Sequence, residues 1–291
     1  MKYIFFGGTQ MFRIVYKKSL NETTDMISVL APEIAKKALP GQFIIFRTDE
    51  RSERIPLTIA DYDREKGTVT VIFQKVGKST MKLGAMNEGD EILDFVGPLG
   101  KPSELDGIGN VAVIGGGLGC AIAYPQAKYL TEHGAKVDMI AGFRSKDIII
   151  LEDEMKNACA RLVIKTDDGS NGNKGLVTDA LRELIEGGAK YDLVIAIGPP
   201  VMMKFVCLLT KEYGIKTVVS MNPIMIDGTG MCGGCRVTVG GKIKFACING
   251  PDFDGHEVDF DELMRRNRMY ADAEREAVRE YNCNLLNAEV K

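Results

Sequence analysis

The stretch that most constrains this chain is Asp227-Gly-Thr-Gly-Met-Cys232-Gly-Gly-Cys235, followed by a further thiol at Cys247. As a spacing it is D-x4-C-x2-C-x11-C. A 2Fe–2S cluster is held by four thiolates spaced C-x4-C-x2-C with a distant fourth. Cys232, Cys235 and Cys247 fit the last three positions, and Asp227 stands at the first, a departure from the all-cysteine pattern. Gly228, Gly230, Gly233 and Gly234 crowd the same run. A loop that wraps a cluster turns sharply and aims backbone N–H groups at sulfur, which glycine permits at low steric cost. A zinc knuckle and a set of incidental core thiols remain as alternatives. Closed zinc sites, however, usually take Cys and His rather than three Cys and an Asp.

With 291 residues the chain has room for two domains and a small third. A hydrophobic share of 45% and a charged share of 26% describe an ordinary globular protein. The formal net charge of −3 and the lack of a long basic run argue against nucleic acid as a partner. The apolar run 111–127 is split by Gly115, Gly116, Gly117 and Gly119, and 191–210 carries Asp192, Pro199, Pro200 and Lys204, so neither reads as a membrane span. The first twelve residues are too short an apolar run for a secretion signal. The expectation is a cytoplasmic protein whose seven cysteines are ligands and buried thiols rather than disulfides.

Residues 1–10 sit ahead of a natural strand start at Met11 and form an extension of no assigned role. From 11 to 102 short β-like runs at 12–16, 25–30, 42–47, 68–73 and 91–96 alternate with turn residues, the pattern of an antiparallel barrel. Two polar signals interrupt it. Arg54-Ile-Pro56-Leu57-Thr58 places a guanidinium fork and a hydroxyl around a rigid proline, suited to phosphate and to a ring heteroatom. Gln74-Lys-Val-Gly77-Lys-Ser79-Thr80 leads into a short helical run, 80–83, whose first N–H groups would seat a pyrophosphate. A surface arginine and an ordinary capped helix would explain both equally.

From Asn110 the pattern changes to strand–helix alternation, with strands at 111–114, 136–141, 161–165, 192–197 and 217–220. Helices fall at 121–132, 153–158, 176–186 and 201–213. That is a doubly wound parallel sheet. The first strand runs into Gly115-Gly116-Gly117-Leu118-Gly119-Cys120, a turn that places pyrophosphate on a helix N-terminus. Cys120 takes the last glycine position of G-x-G-x-x-G, and Gly142-Phe143-Arg144 stands where a Rossmann dehydrogenase has its acidic residue. That departure disfavours a classical dinucleotide dehydrogenase but not nucleotide binding. Gly198-Pro199-Pro200-Val-Met202-Met203 forms a second strand-end turn facing the same crevice, or simply a helix start with proline near its first position. Beyond Met221, residues 235–239 and 242–246 read as a hairpin about Gly240-Gly241 that returns Cys247 to the cluster loop. Residues 251–260 read as loop, and 262–281 as one polar helix followed by a fraying tail.

Together, the barrel, R-x-P-L-T, G-x-S-T, G-P-L-G, G-G-G-L-G, G-P-P-x-M-M and the C-terminal cluster loop resemble the ferredoxin–NADP reductase superfamily, from about Met11 to Tyr270. The order, with the cluster module last, is similar to the electron-transfer subunit of dihydroorotate dehydrogenase. The wording Asp227-Gly-Thr-Gly-Met-Cys-Gly-Gly-Cys-Arg-Val, with Asp as first ligand, resembles more closely the small-subunit family of NADH-dependent ferredoxin:NADP oxidoreductases, also known as sulfide dehydrogenase small subunits. The resemblance implies an FAD-binding barrel over 11–102, an NAD(P)-binding α/β domain over 103–220, a 2Fe–2S module over 221–260 and a C-terminal helix and tail over 261–291. It implies that Arg54, Pro56, Leu57 and Thr58 lie along the flavin and its phosphates, with Phe73 and Gln74 leading into Gly77, Ser79 and Thr80 at the FAD pyrophosphate. Gly115, Gly116, Gly117, Leu118 and Gly119, with Gly198, Pro199, Pro200, Met202 and Met203, would line the nicotinamide nucleotide. Asp227, Cys232, Cys235 and Cys247 would ligate the cluster. NAD(H) is implied over NADP(H) in this subunit, although Arg144 after the second strand suits a 2′-phosphate as well as a solvated position. The implied partner is a larger flavin and 4Fe–4S subunit handling NADP and ferredoxin, with no role for nucleic acid or membrane. No catalytic side chain is implied beyond the cofactors.

Overall fold

A computed structural model describes residues 11–289; the expectations for 1–10 and the end of the tail lie outside the described residues. The N-terminal part is one seven-stranded antiparallel sheet. Its strands are β1 (Phe12–Ser19), β2 (Thr24–Leu30), β3 (Phe43–Arg47), β4 (Ile55–Asp63), β5 (Thr68–Gln74), β6 (Glu91–Ile92) and β7 (Asp94–Leu99). A short helix, α1 (Pro32–Ala35), follows β2, and α2 (Lys78–Ala85) follows β5. The strand order β6-β1-β2-β5-β4-β3-β7 puts β6 and β7 at opposite edges, yet only Leu93 separates them in sequence. The edges therefore meet and the sheet is nearly closed. The run 91–96, expected as one strand, is thus two pieces that serve both edges. The R-x-P-L-T segment, expected to interrupt the barrel, is itself strand β4; its proline is tolerated near the strand start, before the pairing with β5 begins at Ile59.

Alternation sorts the barrel side chains. Ile44, Phe46, Ile59, Val69, Val71 and Phe73 fill a fully buried core with Ile14, Ile27 and Phe95, and Ile55 and Leu57 pack against it. Each such apolar side chain contributes about 1.5–3 kcal/mol on burial. The opposite face of β3 and β4 carries Phe43, Ile45, Pro56 and Thr58, since Phe43 lies opposite Thr58 and Ile45 opposite Pro56. That face looks towards the C-terminal module.

The α/β part comprises β8 (Asn110–Gly116), α3 (Gly119–Glu132), β9 (Lys136–Phe143), α4 (Glu152–Asn157), β10 (Arg161–Thr166), α5 (Val177–Glu186), β11 (Leu193–Ile197), α6 (Pro200–Glu212) and β12 (Thr217–Ser220). The order is β10-β9-β8-β11-β12, all parallel, with α3 and α4 packed on one face and α5 and α6 on the other. Because both faces are covered, β11 reads Leu-Val-Ile-Ala-Ile without alternation and is buried throughout.

The remaining elements are β13 (Arg236–Val239), β14 (Lys242–Phe245), α7 (Ala246–Asn249), β15 (Asp252–Asp254), α8 (Phe260–Asn267) and α9 (Ala271–Glu289). β13 and β14 form the expected hairpin. Two expectations are corrected. The segment read as a loop over 251–260 contains β15, which pairs antiparallel with β12 and completes the nucleotide sheet as its sixth strand. Three residues are too few for a periodicity signal. The single polar helix is two, broken over Arg268–Tyr270: Phe260 and Leu263 anchor α8 in the core, Asp259 caps it by accepting the Glu262 N–H, and no buried apolar residue carries that face onward. α9 then reaches back to α2 on the barrel.

Candidate functional site

The cluster loop connects β12 to β13. Cys235 and Cys247 are both buried, with sulfurs 3.1 Å apart, in an apolar pocket that also holds Met225, Ala246 and the barrel residues Phe43 and Ile45. β13 starts immediately after Cys235, and α7 carries Cys247, so hairpin closure brings the two thiols together. Burial, followed by the neighbouring Cys235 thiol, pushes the Cys247 thiol up to about 12. A bound metal would supply the charge that makes such a thiol give up its proton. Backbone N–H groups point at sulfur, from Gly234 to Cys232 and from Cys247 to Cys235, each at 3.5 Å. Cys232 is exposed.

Asp227 belongs to the same loop. Its Oδ2 accepts from the Thr229 hydroxyl at 2.7 Å, from the Met231 N–H at 3.1 Å and from the Thr229 N–H at 3.3 Å. The Thr229 hydroxyl above all, with these amides and that of Cys232, holds the carboxyl below the usual carboxylate range. Among the described residues no three His, Cys, Asp or Glu side chains converge as one mononuclear ion requires. Cys235 and Cys247 form a buried thiol pair, the Cys232 amide lies against the Asp227 carboxylate, and three thiols plus a carboxylate on one loop and its hairpin suit a two-iron cluster. The donor set fits the group.

Gly228 ties this loop to the barrel. Its φ is +82°, and a Cβ there would stand 2.7 Å from Ile45 Cδ1 and 2.8 Å from Leu99 Cδ1. Only glycine permits that approach. Arg54, expected along the flavin phosphates, donates from Nε to Ile226 O at 3.0 Å and lies 3.7 Å from Asp94. It therefore grips the residue next to Asp227. Pro56 and Thr58 lie on the same barrel face, whereas Leu57 and Phe73 point into the barrel core, so only their backbone can line a flavin. Gln74 is the last residue of β5, opposite Thr24.

At α2 the expected phosphate seat has a mixed composition. Thr80 Oγ1 accepts the N–H groups of Val76 and Gly77 and donates to Gly77 O, so the hydroxyl is spent on capping the helix. Ser79 donates to Glu53. What the first turn still offers an anion is its backbone N–H groups.

In the nucleotide domain the two strand-end turns close on each other. A Cβ on Gly119 would stand 2.2 Å from Ile197 O, and one on Gly116 would stand 2.4 Å from Met202 Sδ. Gly115 and Gly116 end β8, Leu118 caps α3, Gly198 and Pro199 lead into α6 with Pro200 at its first turn. Space above Gly117 is open. This glycine-floored crevice at the carboxyl ends of β8 and β11, opening on a 14-residue helix, fits a dinucleotide. Met203 does not reach it; that side chain is fully buried in the sheet–helix core. Arg144 lies just beyond β9, exposed and without a side-chain hydrogen bond or ion pair among the described residues.

Several residues of the site carried no sequence signal. Asp167 and Asp168 donate their N–H groups to Phe143 O and Arg144 O, and Ser170 accepts from the Lys146 N–H, so the loop after β10 supports the Arg144 turn. Ser103, Ser220 and Asp252 meet at the junction of barrel, sheet and cluster module. All are common loop residues, distinguished only by position.

This is an oxidoreductase architecture in which a flavin barrel, a nicotinamide-nucleotide sheet and an iron–sulfur loop share one junction. Residues 222–259 match the iron-sulfur cluster binding domain of dihydroorotate dehydrogenase B, and residues 113–208 match the oxidoreductase NAD-binding domain. A Thermotoga maritima homolog of the dihydroorotate dehydrogenase B (NAD(+)) electron transfer subunit is 49% identical, covering 92% of this chain and 95% of that one. An uncharacterised Clostridium beijerinckii protein is 55% identical, covering 92% and 93%. The solved structure of an NADH-dependent reduced ferredoxin-NADP oxidoreductase superimposes with a TM-score of 0.89 at 45% identity, covering 95% of this chain and 99% of that chain. The chain belongs to the family of electron-transfer subunits typified by that of dihydroorotate dehydrogenase B, on the ferredoxin–NADP reductase fold. FAD, a 2Fe–2S cluster and NAD(H) are the groups that this family assignment and these domains give it. No helix among the described residues is long and apolar enough to cross a membrane.

Proposed function

We propose that this chain is the electron-transfer subunit of an NADH-dependent, electron-bifurcating ferredoxin:NADP oxidoreductase. Asp227 carries the reading: in the resemblance drawn from the sequence, a carboxylate at the first ligand position separates these subunits from their dihydroorotate relatives, and its loop stands beside Cys232, Cys235 and Cys247. The end-to-end similarity to the ferredoxin-NADP oxidoreductase structure supports it. A flavin supplies the conversion between hydride chemistry and single-electron chemistry that joins nicotinamide to cluster.

The chain's own residues hold, orient and insulate. Gly115, Gly116, Gly117, Leu118 and Gly119 with Gly198, Pro199, Pro200 and Met202 floor the nucleotide crevice, and Arg144, exposed just beyond β9, would take an adenosine phosphate. Arg54, Pro56 and Thr58 and the backbone at Gln74, Gly77 and Ser79 take the FAD. Asp227, Cys232, Cys235 and Cys247 take the cluster. The module divisions at 102/103, 220/221 and 260/261 belong to the same proposal, with β15 lent by the cluster module to the sheet. An exposed Cys232 beside a buried thiol pair is suited to a cluster that faces a partner, here a larger subunit carrying flavin and 4Fe–4S clusters and acting on NADP and ferredoxin in the cytoplasm.

The test is the anaerobic visible spectrum and metal content of the purified chain, then addition of NADH. Flavin bands and about two irons per chain, bleached by NADH, are expected. One zinc, no flavin and no response would overturn the reading in favour of a non-catalytic module. The similarity to the Thermotoga maritima protein favours a second reading, the dihydroorotate dehydrogenase subunit; co-purification with a dihydroorotate-oxidising rather than a ferredoxin-handling subunit would establish that alternative.

A further inference from the structure

Asp252 is an acidic side chain with no evident reason to be buried. It lies on β15 opposite Ser220, at the carboxyl end of β12, which is the crevice end of the sheet. Its Oδ2 accepts from the Ser103 hydroxyl at 2.5 Å, while Oδ1 is buried without a hydrogen-bond partner. Ser220 stands near enough to favour the charged form, but burial outweighs both serines and raises the carboxyl above its usual range. An incompletely satisfied buried carboxyl costs stability, so its surroundings must over-determine it.

Those surroundings stitch three modules together. Ser103 belongs to the linker between β7 and β8, and its N–H donates to Pro40 O of the barrel. Two residues before Asp252, the linker's Lys101 N–H donates to Gly250 O at 2.7 Å. At the next carbonyl, the Met221 N–H, just past β12, donates to Pro251 O at 2.9 Å. Gln42 of the barrel holds Gly100 O at 2.9 Å. The backbone of 250–252 is thus laced to the linker and to the last parallel strand, and Asp252 is the side chain that joins them. The node adds a polar tie between barrel and nucleotide sheet to the packing of α3 on β4 and the Lys128–Asp61 ion pair.

We propose that Asp252 is a positioning residue: acting through Ser103 and Ser220, it fixes the nucleotide crevice against the flavin-bearing face of the barrel, and so sets the stacking of nicotinamide on flavin. The proposal rests on the functional reading above. Hydride transfer is steep in distance, and a displacement of about 1 Å can cost up to about a hundredfold in rate. A loosened clamp therefore appears in the rate of transfer and in stacking, while the nucleotide still binds its own crevice.

The experiment compares wild type, Asp252→Ala, Asp252→Asn and Ser103→Ala, each loaded with flavin and iron. The readouts are the long-wavelength nicotinamide–flavin charge-transfer absorbance, the single-turnover rate of flavin reduction by NADH, the NADH dissociation constant and amide exchange at Lys101 and Met221. The expected result for Asp252→Ala and Ser103→Ala is a diminished charge-transfer band, flavin reduction slowed about tenfold or more, faster exchange at both amides and an unchanged dissociation constant. Asp252→Asn, which keeps an acceptor for Ser103, should restore the band and the rate. Wild-type band and rate in Ser103→Ala overturn the proposal even if Asp252→Ala does not fold. So does a loss confined to NADH affinity. A wild-type chain that binds flavin but is not reduced by NADH overturns the functional reading itself, and this proposal with it.

Discussion

Asp227 is the residue whose chemistry departs furthest from expectation for a cluster ligand. A carboxylate is a harder donor than thiolate, and three hydrogen bonds already spread the charge of its Oδ2. Asp227→Cys should keep a cluster and change its reduction potential; an unchanged potentiometric titration followed by electron paramagnetic resonance would refute ligation by Asp227. The free thiols offer a second check. Burial pushes Cys120 up to about 12, and burial with nearby Asp254 does the same for Cys207. Both stay protonated and unreactive at neutral pH. Alkylation at pH 8 read by mass spectrometry should label exposed Cys283 in the loaded protein, add Cys232 once iron is removed, and leave Cys120 and Cys207 unmodified while the fold persists.

At the scale of elements, the two strand-end turns act as one unit. Gly119 begins α3 against the carbonyl of Ile197, and no side chain fits between them. Gly119→Val should force α3 away from β11, at an overpacking cost of about 1–3 kcal/mol. The expected outcome is a lower melting temperature with loss of NADH binding, whereas FAD stays on the barrel. Equal loss of flavin and nucleotide would contradict the separation of the two sites. The glycines of this turn were legible because strand, glycine run and helix follow each other in sequence. Strand β15 and the break between α8 and α9 were not. Three residues of strand owe their conformation to β12, and the helix break to where the core stops.

For the whole molecule, the barrel, sheet and cluster loop are held by few polar contacts, and two of them carry predictions. Arg54 reaches from the barrel to Ile226 O, next to Asp227 in the cluster loop. Arg54→Ala removes a hydrogen bond worth about 1 kcal/mol and should release both flavin and iron faster on dilution; release of flavin alone would mean that the contact to the cluster loop is incidental. Asp252 makes stability depend on pH in a defined direction. Burial raises its native value above the ordinary 3.8. Its contribution is therefore full below that ordinary value and is lost as pH rises through the native one. Asp252→Asn should remove that part of the slope, read as melting temperature against pH.

The sequence by itself determined what each segment can hold. Cysteine and aspartate spacing, a glycine turn between a buried strand and a helix, and a proline flanked by arginine and threonine are local patterns whose chemistry follows from neighbours in the chain. It also determined the order of modules, because strand-rich and strand–helix periodicities differ over tens of residues. Only the tertiary structure decided which side chains of those motifs face the junction. Alternation turns Leu57 and Phe73 into the barrel core and sends Pro56 and Thr58 to the face turned towards the C-terminal module; helix phase buries Met203 and leaves Met202 over Gly116; capping consumes the hydroxyl of Thr80. It alone brought Ser103, Ser220 and Asp252 together across 149 residues of separation. The physical reason is that local motifs record what a segment must bind, whereas the closure of a barrel against a sheet depends on contacts between residues that have no pattern of their own.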